Sequence, residues 1–185
     1  FYARYDGRSY LDTARKQIKS RYDYILIDSR TGVSDTAGIC TVHMPDVLAV
    51  FFTANTQSVE GAYKTASSVW RQWQEQPVDH QRRQIYPFIT RVETSELDKL
   101  HVTRDFIRAK FDPLLDAQGM NDLDGYWLKA ETPYIPFYAF EEVLAVFKDR
   151  SGDASSVLGA SENIAERLTG GKTYSLNTLK RPYRE

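Results

Sequence analysis

Two residues four positions apart raise the question of chemistry in this chain. Asp28 closes the apolar run at residues 22–28 (YDYILID), and Gly32 follows in the turn (SRTG). A carboxylate at the tip of a strand can hold Mg²⁺ directly or through water, because magnesium takes oxygen ligands and keeps several of its waters. Ligands of open α/β sheets lie beyond the carboxyl ends of the strands, which is where Asp28 would stand. A glycine lets its main-chain N–H approach a phosphate without a side-chain clash, and a loop of this kind can respond to a γ-phosphate. The plainer reading is a strand end followed by a turn, and this stretch alone does not choose between them.

Other chemistries find less support. His43, His80 and His101 are scattered, and Cys40 with His43 offers two zinc ligands where a site needs three or four. Ser29 lies in no G-x-S-x-G elbow. Glu141-Glu142 and the Asp122/Asp124 pair read as solvated surface. Residues 170–173 (GGKT) look like the end of a phosphate-binding loop. Such a loop has a glycine five residues before its Gly-Lys pair, where this chain has Glu166, and it follows a strand where this one follows a helical pattern. The stretch reads as a helix stop.

Composition narrows the class. The chain has 185 residues, 42% hydrophobic and 26% charged, with a net charge of −1. That balance suits one globular domain able to bury roughly 70% of its unfolded surface without disulfides. It lacks the basic excess of a nucleic-acid binder, so no nucleic-acid partner is expected. The lone Cys40 forms no internal bridge, and no apolar run approaches the ~20 residues of a membrane span. A cytoplasmic location and no membrane partner are expected. The sequence opens on Phe1 with no signal-peptide pattern, and is expected to be a piece of a longer chain.

The elements that must position Asp28 follow from periodicity. Strands are predicted at 22–28, 46–54 (DVLAVFFTA), 85–92 (IYPFITRV) and 132–137 (TPYIPF), the last interrupted by two prolines. Continuous apolar runs suit strands covered on both faces, as in parallel sheets. Helices are predicted over 12–21; over the stripe Val59, Ala62, Tyr63, Ala66, Val69, Trp70 and Trp73, capped by Ser58; and around Phe106–Leu115, with Pro113 as a kink or restart. Two more are predicted, over 140–147 and over 157–168, the latter stopped by Gly170-Gly171. Strands alternating with helices indicate an α/β fold with a mostly parallel sheet flanked by helices on both faces.

The series YDYILIDSRTG, PDVLAVFFTANTQSVEGA, PFITRVE and TPYIPFYAFEEVLAVF resembles the ParA/MinD-like branch of P-loop ATPases, closest to a bacterial subgroup fused to other signalling or repeat modules. The resemblance covers about residues 2–170, leaving 171–185 as a tail or linker. It implies a P-loop NTPase-like fold that binds ATP with Mg²⁺ and often forms a homodimer. Asp28 matches the Walker-B aspartate that orders the metal. Ser29, Arg30, Thr31 and Gly32 match the switch loop, with Gly32 at the γ-phosphate-sensing position and Asp35 just beyond. Arg91 falls where relatives place residues beside the adenine, and Pro136 and Phe137 in the loop that lines the base. For these last three the alternatives are a surface salt bridge and a plain strand end.

One departure from the family is large. Its KGG-type phosphate-binding loop and the strand before it do not occur in the 185 residues. Each charge-assisted hydrogen bond to a phosphate contributes about 1.5–3 kcal/mol, so losing several removes about the ~8 kcal/mol that holds a micromolar ligand. ATP and Mg²⁺ are therefore expected only together with that segment, supplied by more of the same polypeptide or by a partner chain. The family's missing strand lies beside the Walker-B strand, so two inner edges would be left unpaired. The alternative reading is a non-catalytic interaction module of the same fold, using the Trp70/Trp73 helix or those edges for protein contact.

Overall fold

The computed structural model describes residues 7–29, 38–75, 83–93 and 97–173. Helix α1 (Gly7–Lys19) is followed by a wide π-type turn (Ile39–His43), then β1 (Val47–Thr53), α2 (Thr56–Glu75), β2 (Gln84–Val92) and α3 (Leu97–Ala117). After these come α4 (Leu123–Lys129), β3 (Glu131–Pro133), α5 (Pro136–Phe140), α6 (Ala145–Lys148) and α7 (Val157–Leu168). The three strands form an open, all-parallel sheet in the order β1-β2-β3, so the fold is α/β as expected. By contact the chain divides into two units, residues 1–48 with 68–84 and residues 49–67 with 85–185.

In the first unit, Arg15 of α1 donates from Nε to the Met44 carbonyl at 3.0 Å and pairs with Asp46, which Lys19 also reaches at 2.9 Å. Trp73 is buried and donates its indole N–H to the Val42 carbonyl at 2.9 Å, with the Arg83 guanidinium 5.4 Å over the ring. The expected interface role of Trp73 is thereby corrected. Its ring is core, and its one polar atom is satisfied internally.

The second unit is built on aromatic packing around β2, whose residues from Ile85 to Ile89 are all buried. Consecutive strand side chains point to opposite faces. Phe52 of β1 stacks on Phe111 of α3 at 5.2 Å, and Tyr63 of α2 meets the same ring edge-on at 5.6 Å. Its neighbour Phe51 stacks instead on Phe88 of β2 at 5.3 Å, and Phe88 contacts Tyr126 of α4. The Tyr126 hydroxyl donates to the Pro87 carbonyl, and burial pushes that phenol far above its ordinary titration range. The first amide of the buried stretch, Ile85 N–H, donates to the Gln118 side chain at 2.6 Å.

Several expectations hold with shifted boundaries. Helix α1 starts earlier than the predicted 12–21, and α3 runs unbroken through Pro113, held by buried Phe111, Leu114 and Leu115 on either side of the proline. The cap of α2 is Asn55, not Ser58: the Asn55 side chain accepts from the Ser58 N–H at 2.9 Å, while the Ser58 hydroxyl accepts from the Thr53 N–H at 3.1 Å. Helix α7 matches 157–168, capped by Ser156. It ends as a Schellman motif: Gly170 is left-handed (φ 63°), Gly171 N–H donates to the Glu166 carbonyl and Gly170 N–H to the Arg167 carbonyl. The GGKT stretch is a helix stop in fact.

Three expectations fail. Residues 22–28 are not a strand. Among the described residues, the main chain of 23–28 makes no hydrogen bond, and Tyr22, Tyr24, Ile25, Leu26 and Ile27 are exposed, Leu26 at 92%. An apolar run reports a demand for cover, and among the described residues no strand pairs with it. The strand predicted over 132–137 shrinks to the three residues of β3, because Pro133 and Pro136 carry no N–H and Pro136 starts α5. The helix predicted over 140–147 is split into α5 and α6 by Glu142, whose φ of 23° no helix accommodates.

Truncating the ring on which Phe52 and Tyr63 converge tests this packing. Phe111→Ala should lower stability by about 3–5 kcal/mol, measured by urea denaturation. A loss below about 1 kcal/mol would mean that Phe111 is not a core residue.

Candidate functional site

Because β1, β2 and β3 are parallel, their carboxyl ends share one side of the sheet, the side at which α/β proteins hold ligands. In the second unit three predicted groups lie at that end. Arg91 is the penultimate residue of β2, and Pro136 and Phe137 begin the helix that follows β3.

The geometry at Arg91 is unusual. Its φ is 54°, a left-handed conformation that costs a non-glycine residue about 1–2 kcal/mol. It sits where the β2–β3 register shifts, between the pairs Ile89/Glu131 and Val92/Pro133. A bulge of this kind re-aims a side chain. Val92 stays buried and its carbonyl accepts from Tyr134 N–H at 2.9 Å, while Arg91 is exposed with its guanidinium 5.0 Å over the Tyr134 ring. Among the described residues Arg91 makes no salt bridge; it is stacked on an aromatic ring at the end of the sheet.

Pro136 occupies the first turn of α5, where its fixed φ and missing N–H cost nothing. Phe137 next to it is partly exposed, edge-on to Tyr138 at 5.3 Å, with the Lys148 ammonium 2.8 Å over its face. Tyr138 in turn donates its hydroxyl to Asp149, and desolvation together with that carboxylate raises the phenol's pKa well above its usual value. Asp149 also accepts from Leu158 N–H at 3.1 Å, which ties the 134–138 loop to the start of α7. Two cation–ring pairs, Arg91 on Tyr134 and Lys148 on Phe137, thus lie on or beside the segment that follows β3, and guanidinium and aromatic groups of this kind can meet a flat, electron-rich ring.

The first unit carries Asp28 and Ser29. Asp28 ends the exposed 23–28 segment with its carboxylate in solvent, and Ser29 is half-buried. Arg30, Thr31, Gly32 and Asp35 lie outside the described residues. Among the described residues no group of three or more His, Cys, Asp or Glu is placed to hold a metal, and no helix is long and apolar enough to cross a membrane. Magnesium bound mainly through waters and phosphate needs one or two protein carboxylates, so a single Asp28 fits that role in number.

Sequence reasoning missed Tyr134 and Asn55. Tyr134 was legible only as one more aromatic in a strand. Asn55 carried a readable signal, an Asn directly after an apolar run and three residues before Ser58, which is the spacing of an N-cap bond.

The backbone at Arg91 is open to test. Glycine adopts a left-handed φ without penalty, so Arg91→Gly should be more stable than Arg91→Ala by about 1 kcal/mol in urea unfolding. An alanine variant as stable as the glycine variant would contradict the left-handed geometry.

No protein family, curated protein or solved structure matches this chain, and its function is read from the groups above.

Proposed function

We propose that this chain is the later part of a ParA/MinD-like, Mg²⁺-dependent ATP-binding and ATP-hydrolysing domain, working in the cytoplasm and completed by a phosphate-binding segment outside the 185 residues. The observation that carries the reading is the parallel sheet β1-β2-β3 with Arg91 and the 134–137 loop at its carboxyl end. In this reading Arg91, Tyr134, Pro136 and Phe137 hold the base, the planar guanidinium and rings matching the π-face of a purine. Asp28 would anchor the metal, and Ser29, Arg30, Thr31, Gly32 and Asp35 would form the loop that responds to the γ-phosphate. Bound Mg²⁺ would supply charge stabilisation at the phosphates during attack by water. The chain's own part is to position the base and to orient the carboxylate. Dimerisation around the nucleotide is the expected output.

A second reading, a non-catalytic interaction module, is favoured by one observation. Phe140, Leu144 and Phe147 are exposed in and around the short helices α5 and α6, Phe140 at 84%. That is more apolar surface than eight consecutive residues of a finished surface normally show.

One titration separates the readings. Labelled ATP with Mg²⁺ is added to the 185-residue chain, alone and together with a segment bearing a KGG-type loop. The first reading predicts binding weaker than about 1 mM alone and near 1 μM in the assembled form, with Mg²⁺-dependent hydrolysis that Asp28→Ala abolishes. Micromolar binding by the bare chain would overturn the phosphate-site reasoning. No binding in either form would leave the interaction module standing, and unchanged hydrolysis would remove Asp28 from its role.

A further inference from the structure

The chain from α5 to α6 folds back on itself. At the end of α6 the Lys148 ammonium lies 2.8 Å over the ring of Phe137, at the start of α5. The next residue of each helix repeats the link, Tyr138 donating its hydroxyl to Asp149. The two ends of the segment therefore meet. The turn that carries Glu141 and Glu142 stands at the opposite end, sharpened by the positive φ of Glu142. Tyr138, Ala145 and Val146 are half-buried, while Phe140, Val143, Leu144 and Phe147 are exposed, Leu144 at 65%. Leu144 and Phe147, three residues apart, share one face of α6. Among the described residues of the second unit, the other fully apolar exposed side chains, Phe51, Val102 and Leu128, are scattered.

This apolar surface is charged oppositely at its two ends. Glu141 and Glu142 are exposed at the turn, and Lys148 and Arg150 are exposed at the closed end. Asp149 between the two bases is engaged by Tyr138 and by the Leu158 N–H at 3.1 Å. A uniformly basic partner would meet Lys148 and Arg150 with like charge, and a uniformly acidic one would meet Glu141 and Glu142. An anionic membrane would repel the acidic turn. The occupant that suits both ends carries acid, apolar surface and base in the reverse direction. A second copy of this segment, related by a two-fold axis, presents that order, because a two-fold interface sets one patch against itself.

We infer that the α5–α6 segment is a self-complementary surface that pairs two copies of the chain antiparallel. Glu141 and Glu142 of each copy face Lys148 and Arg150 of the other, with Phe140, Leu144 and Phe147 packed between them. The pairing needs no nucleotide, so it stands apart from dimerisation around ATP and holds for an ATPase or an interaction module alike. Four such side chains offer roughly 450 Å² per copy, scaled by the roughly 150–250 Å² that one aromatic can bury. With the charged ends included, the pair removes on the order of 1,000 Å² from water, the lower bound of a specific interface. The dimer is accordingly weak.

Sedimentation equilibrium of the full 185-residue chain, without nucleotide, tests the inference. From about 5 to about 500 μM, a range bracketing a dissociation constant of roughly 10–100 μM, the average mass should rise from one chain toward two. Phe140→Asp, at a position 84% exposed, should weaken association at least tenfold and leave the urea midpoint unchanged. Charge reversal reads the arrangement. The double variants Glu141→Lys/Glu142→Lys and Lys148→Glu/Arg150→Glu should each stay monomeric, and their equal mixture should regain the dimer. A chain monomeric throughout the range would overturn the inference and mean that a different molecule covers the surface. A dimer that Phe140→Asp leaves intact would overturn it too. So would one that forms only with Mg²⁺ and ATP, since that is pairing around the nucleotide. Dimers indifferent to both reversals, or a mixture that stays monomeric, would overturn the antiparallel arrangement.

Discussion

A parallel strand is satisfied only when both edges carry hydrogen bonds and both faces are covered, and much of the second unit is explained by β2 meeting that condition. Its neighbours are β1 and β3, and its residues from Ile85 to Ile89 are out of solvent. The Phe52–Phe111 stack lies on one side of β1, the Phe51–Phe88 stack on the other. Residues 23–28 have the composition for the same treatment, and among the described residues they make no main-chain hydrogen bond and stay exposed. The difference between the two segments is not in their side chains but in what stands beside them.

That contrast also explains the candidate site. Arg91, Tyr134 and Phe137 lie where β2 and β3 end, and their side chains are held by neighbours: a bulge and a cation–π stack for Arg91 and Tyr134, the Lys148 ammonium for Phe137. Asp28 ends a segment that makes no main-chain hydrogen bond among the described residues.

Legibility followed the same line. β1, β2 and α7 could be read because period and end signals agreed, down to Ser156 at one end of α7 and Gly170-Gly171 at the other. The 22–28 run and the 140–147 stripe misled because apolar pattern states which surfaces need cover, not whether cover is present. Asp28, Arg91, Pro136 and Phe137 stand out by motif order, but the left-handed backbone at Arg91 is invisible in sequence, since arginine gives no glycine-like sign of a positive φ. Tyr134 was hidden for a related reason: a strand aromatic looks the same whether it packs inward or carries a guanidinium. Pro113 was over-read, because tertiary packing at Phe111, Leu114 and Leu115 outweighs one lost helix hydrogen bond.

The central claim is that the Asp28 carboxylate anchors a nucleotide-bound divalent cation. The most direct measurement replaces Mg²⁺ with paramagnetic Mn²⁺ in the nucleotide complex of the assembled protein and follows NMR line broadening residue by residue. Selective broadening at Asp28 and Ser29, lost in Asp28→Ala, is the predicted result. Sharp lines there, with broadening centred on another part of the chain, would contradict the claim.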